Sequence, residues 1–113
     1  MAVTLKTNTI KKGVNISVIA VKITTEAGTT NQTVEIAHGL SFTPDFAFIQ
    51  EITPVGDKKV EDRIMVQHTG DIGNDAKIDA DGTYVRVFAP GNSEDEKVYR
   101  GLLIVGRCHS IIK

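Results

Sequence analysis

The chain is built of short runs rich in Val, Ile, Thr and Phe that Gly, Asn, Asp and Pro interrupt, and in Thr33 to Ile36 and Thr83 to Phe88 apolar and polar positions alternate with a period of two. A period of two puts successive side chains on opposite faces of a strand, and β-branched residues fit that pleated surface, so the pattern predicts strands separated by turns. The candidate strands are Ile16 to Thr24, Thr33 to Ala37, Phe46 to Thr53, Arg63 to Thr69, Ala76 to Ala80, Thr83 to Ala89 and Val98 to Arg107. Helical periodicity is nearly absent. Ser93-Glu94-Asp95-Glu96 spells a helix capping box, yet strand formers follow it from Val98 to Val105, so it reads as an acidic turn. The fold class is therefore all-β: a single small antiparallel β-sandwich or jelly-roll-like barrel of about seven or eight strands.

Turn chemistry supports this division. Asp81-Gly82 lies between two short alternating segments, and Asp-Gly supplies the positive φ angles of a type I′ hairpin turn. Pro44, Pro54 and Pro90 fall at strand ends, where a missing amide hydrogen breaks no ladder. The segments Thr25 to Asn31, Val55 to Asp62 and Gly91 to Glu96 are expected to be exposed loops.

Three segments depart from simple alternation. Ile16 to Ile23 carries Ile16, Val18 and Ala20 on one face and Ile19, Val21 and Ile23 on the other, and Phe46 to Ile49 and Leu102 to Val105 are likewise apolar on both faces. A sandwich strand in a free monomer presents one dry face. Large exposed apolar patches are rare on soluble monomers, and closed symmetric oligomers are their usual cover. The expectation is a homo-oligomer, most plausibly a trimer, with Ile19, Val21, Leu103 and Val105 at the contact. Residues 1–12, with Val3, Leu5 and Ile10 among Thr, Asn and Lys, are expected to form an extended arm that places Val3 and Leu5 on a neighbour, Gly13 being the hinge. The alternative is an edge strand of the chain's own sandwich. Residues 13–113 make up the β-sandwich domain.

The chain has 113 residues, enough for one domain with its own core, and its single cysteine, Cys108, cannot form an internal disulfide. With 13 basic and 14 acidic residues the net charge is -1, and no basic stripe tracks a phosphate backbone, which argues against nucleic acid. No apolar run approaches the roughly 20 residues that cross a bilayer, and the N-terminus lacks the apolar core of a secretory signal. No membrane partner and synthesis in a cytoplasm are the expectations that follow.

Candidate chemistry is sparse. His38, His68 and His109 do not pair at the spacings that set two metal ligands on one element, and Cys108 lacks a nucleophile motif. Asp71, Asp75, Asp79 and Asp81 have the oxygens to hold calcium, but the closing Glu of an EF-hand loop is missing, and a turn flanked by solvated aspartates explains them. No phosphate-binding glycine loop or Gly-x-Ser-x-Gly elbow occurs, and Trp is absent, which removes a favoured stacking platform for sugars and bases. The expectation is a protein without catalytic residues, metal or cofactor.

The segment from Val34 to Ile49, with its strand, His38-Gly39-Leu40, Phe42-Thr43-Pro44 and second strand, resembles a stretch that recurs in small virion proteins of tailed bacteriophages. In physical terms Gly39 permits a sharp turn, Leu40 and Phe42 plug the sandwich end, Pro44 fixes the entry to the next strand, and His38 bonds the turn. The resemblance implies a virion structural protein. Small size, near-neutral charge and two-faced strands make a capsid decoration or cement protein, bound to the major capsid protein on the virion surface, the first reading. A tail or head-fibre module is the second, and a cytoplasmic small-ligand-binding β domain is the alternative from another class.

Overall fold

Nine strands account for most of the described residues: β1 Val3–Lys12, β2 Ile16–Thr25, β3 Gln32–Ala37, β4 Phe46–Glu51, β5 Met65–Val66, β6 His68–Thr69, β7 Lys77–Ile78, β8 Tyr84–Ala89 and β9 Lys97–Gly106. The computed structural model describes residues 3–52, 64–69, 77–91 and 96–108. Every pairing is antiparallel. Strands β1-β2-β9-β4 form one sheet, β3-β8-β5 a second, and β6-β7 a short ribbon. The chain is an all-β, sandwich-like fold, as the alternation predicts. Arg63 and Ala76, the expected starts of two strands, and the turn at Ser93 to Asp95 lie outside the described residues.

The two larger sheets meet through one face each. Ile19, Val21, Ile23, Leu103 and Val105 from the four-stranded sheet and Val34, Ile36, Val85 and Val87 from the three-stranded sheet are buried. Leu40, Ile64 and Val66 join the same core, and Tyr99 is fully enclosed. Each such aliphatic side chain taken from water stabilises the fold by about 1.5–3 kcal/mol.

Strand β1 settles the placement of the N-terminal segment. It runs antiparallel to β2, Val3 opposite Thr25 and Leu5 opposite Ile23, with a register shift between Thr9 and Lys11. Val3 and Leu5 pack half-buried against the subunit's own core. The segment is an edge strand of its own sandwich rather than an arm laid on a neighbour. The reason is register: these two side chains lie on the same face as Ile23 and Thr25, which already points into the core.

The Asp81-Gly82 turn also differs from expectation. Gly28 and Gly39 have positive φ, whereas neither Asp81 nor Gly82 does. The Asp81 carboxylate instead accepts the amides of Thr83 and Tyr84, each at 2.8 Å, and the Asp81 amide donates to the Tyr84 carbonyl at 2.9 Å. A side chain that mimics a backbone turn makes the left-handed conformation unnecessary.

Candidate association surface

The segment between β3 and β4 carries the chain from one sheet to the other, and His38 organises its start. Its ring is buried; Nδ1 accepts the Leu40 amide at 3.0 Å, so Nε2 carries the proton and donates to the Asp81 carbonyl at 2.8 Å. Gly39 adopts φ 72°, a conformation that a side chain makes costly. Leu40 is buried, Phe42 packs on the core edge, and Pro44 precedes β4 by two residues. His38 has both ring nitrogens engaged by main chain and serves as a joint between two turns.

Among the described residues, Arg86 with its carboxylates and Cys108 are similarly occupied. Arg86 bonds Glu35 at 3.0 Å, Asp79 at 3.3 Å and Asp81 at 2.9 Å, so the aspartates that bear on a calcium site surround a guanidinium. The amides of Tyr84 and Thr83, then Arg86, hold the Asp81 carboxyl down at about 2. The hydrogen bond to Asp81 in turn pushes Arg86 above its ordinary value. Asp71 and Asp75 lie outside the described residues, as does His109. Among the described residues, no three His, Cys, Asp or Glu side chains gather as a metal site would require. Burial, followed by the adjacent Asp45 carboxylate, pushes the Cys108 thiol up, away from the thiolate that a nucleophile needs. A groove of about 680 Å³ beside β4 brings Asp45, Phe46, His68, Lys77 and Ile78 to its walls.

The largest organised feature is the outer face of the four-stranded sheet. Three of its strands, the inner β2 and β9 and the edge strand β4, are the three that are apolar on both sides, and they lie side by side. Register stacks their outward residues into rows. Ile16, Gly106 and Phe46 form one row, Val18, Ile104 and Phe48 the next, and Ala20, Leu102 and Gln50 the third. At Gly106 an added Cβ would press on Ile16 and Phe46, so the bare glycine lets these two side chains close over the strand. Phe48 is 53% exposed and Ile16 41% exposed, while Val18, Leu102 and Ile104 are half-buried within the sheet surface. The result is a continuous apolar field on the side of the sheet that faces away from the core.

No protein family, curated protein or solved structure matches this chain.

The sheet geometry corrects the expected contact residues. Ile19, Val21, Leu103 and Val105 are at most 3% exposed and form the subunit's own core, so they cannot touch a neighbour. The outward residues are one position away in each strand: Val18, Ala20, Leu102 and Ile104. A period of two makes the choice of face a one-residue decision. A signal in the sequence identifies the solvent side, because Lys22 shares the parity of Val18 and Ala20, and Arg100 that of Leu102 and Ile104. Charged residues are almost never fully buried unless paired.

Beyond the apolar rows, Lys6, Lys22 and Arg100 line up across β1, β2 and β9. They border a shallow depression of about 380 Å³ together with Ala20 and Ile52. The outer face thus couples an apolar field to a cationic margin.

Proposed function

We propose that this chain is a non-enzymatic virion structural protein, most simply a capsid decoration or cement protein that works as a homo-oligomer bound to the major capsid protein. The observation that carries the reading is the merger of three two-faced strands into one apolar outer face. Solvent exposure of Phe48, Ile16 and Ile52 on a subunit of this size is the feature that association covers. The His38-Gly39-Leu40 turn supports the same reading: it is engaged in structure, which fits a scaffold, and it carries the resemblance to tailed-phage virion proteins. An open sheet face of aliphatic and aromatic side chains suits a large, complementary protein surface better than a small molecule, which favours an enclosing pocket.

Cryo-electron microscopy of the particle whose genome encodes the chain tests this reading. The expected result is density for this sandwich at symmetry-related positions on the capsid, with the β2-β9-β4 face covered by protein. Absence of the chain from purified, infectious particles contradicts it.

A further inference from the structure

We infer that copies of this chain pack head-to-tail, the Lys6–Lys22–Arg100 row of one copy seating on the Glu35, Asp79 and Asp81 carboxylates of the next. This inference rests on the reading that the outer face of the four-stranded sheet is an association surface, and it names what covers that surface.

Two cations directly opposite on neighbouring strands repel each other. Lys6 faces Lys22 in register, and Lys22 faces Arg100. Neither Lys6 nor Lys22 has an ion-pair partner among the described residues. An anionic surface laid on Lys6 and Lys22 relieves the repulsion between them.

The opposite side of the sandwich supplies such a surface. Glu35 and Arg86 are paired across β3 and β8 and point outward, between buried Val34 and Ile36 and between buried Val85 and Val87. Arg86 answers three carboxylates at once, which leaves two negative charges in excess; the Glu35 and Asp81 side chains remain 48% and 47% exposed.

Apolar rows match as well. On the cationic face, Ala20 and Leu102 lie one pleat repeat from Lys22 and Arg100. On the acidic face, Phe88 and Met65 lie one repeat from Arg86, and Met65 is 55% exposed. Residues two apart on a strand are separated by roughly 6.6 Å, so charged and apolar rows have the same spacing on both surfaces. Because the two surfaces are on opposite faces of one subunit, the contact is heterologous and builds a ring if the rotation closes or a filament if it does not.

Light scattering on the full-length chain at low salt tests this, using two variants that each damage one face. Lys6→Glu with Lys22→Glu reverses the cationic row, and Glu35→Gln with Asp79→Asn neutralises the acidic one. Circular dichroism establishes that each is folded. The wild type is expected to assemble, and each variant alone to scatter with subunit mass. An equimolar mixture is expected to give dimers and nothing larger, since only one intact pair of faces remains. If Glu35→Gln with Asp79→Asn assembles like the wild type while Ile104→Asp does not, the head-to-tail arrangement is wrong and the association face stands. If the wild type stays monomeric and immobilised polyglutamate does not retain it, both readings fail. A monomeric wild type retained on immobilised polyglutamate through Lys6 and Lys22 assigns the row to a different acidic protein and overturns the inference.

Discussion

The imidazole of His38 donates its Nε2 proton to the main-chain carbonyl of Asp81 at 2.8 Å, tying together two turns that are 43 residues apart in sequence. The same ring accepts the Leu40 amide, and the His38 amide donates to the Thr83 carbonyl at 3.0 Å. One side chain and its own backbone thereby fix the exit from β3 against the entry to β8. The His38-Gly39-Leu40 turn is a piece of framework.

Replacing His38 with Ala leaves the Leu40 amide and the Asp81 carbonyl without these partners, a loss of about 1–3 kcal/mol for each group that stays dry. The expected outcome is a clear drop in the urea midpoint with the β-sheet circular dichroism retained at low denaturant. A midpoint equal to that of the wild type contradicts the role assigned to the ring.

Asp81 makes stability depend on pH in the acid range. Its carboxyl is held at about 2 in the fold against an ordinary 3.8, by the Tyr84 and Thr83 amides and then by Arg86. A depressed carboxylate contributes stability that is fully present above the unfolded value and is lost as pH falls through the folded one, which places the loss between pH 3.8 and about 2. The change Asp81→Asn keeps an oxygen for the two amides and removes the charge. Its unfolding free energy should therefore fall less steeply than that of the wild type as pH drops through that window. Parallel profiles for the two proteins overturn the assignment.

The N-terminal strand separates two accounts of residues 1–12. As an edge strand, β1 covers the ladder of β2 and sets Val3 and Leu5 on the core. Deleting residues 1–12 should lower the melting temperature of the isolated subunit by many degrees and promote aggregation through the uncovered edge. An unchanged melting temperature, with association alone lost, supports a detachable arm instead.

Much of the fold was legible in the sequence because most strands announce themselves by β-branched runs between turn formers; Phe46, Tyr84 and Lys97 open strands within a residue of where those runs put them. Two things were not legible. The sequence of β1, polar at Lys6 to Asn8, suits an arm and an edge strand alike, and only its pairing with β2 decides between them. The inward face of β2 and β9 was also undetermined by apolarity, since Ile19 and Val18, or Leu103 and Ile104, are equally suited to a core. Lys22 and Arg100 break that tie, because neither is readily buried, and the sheet order then joins three separate apolar runs into one surface. The Asp81 turn escaped for a different reason: a side-chain oxygen performed the task that Asp-Gly usually assigns to positive φ.

The claim that the outer face of β2, β9 and β4 is an association surface is tested most directly by the mass of Ile104→Asp in solution, measured by light scattering beside the wild type. Ile104 lies between Val18 and Phe48 on that face and outside the core. An aspartate there remains solvated in a lone subunit but is buried without a partner in an assembly, at a cost of several kcal/mol. The account predicts a wild type heavier than one subunit and an Ile104→Asp protein of subunit mass with an unaltered circular dichroism spectrum. A folded Ile104→Asp protein with the same mass as the wild type, whether both are assembled or both are single subunits, contradicts it.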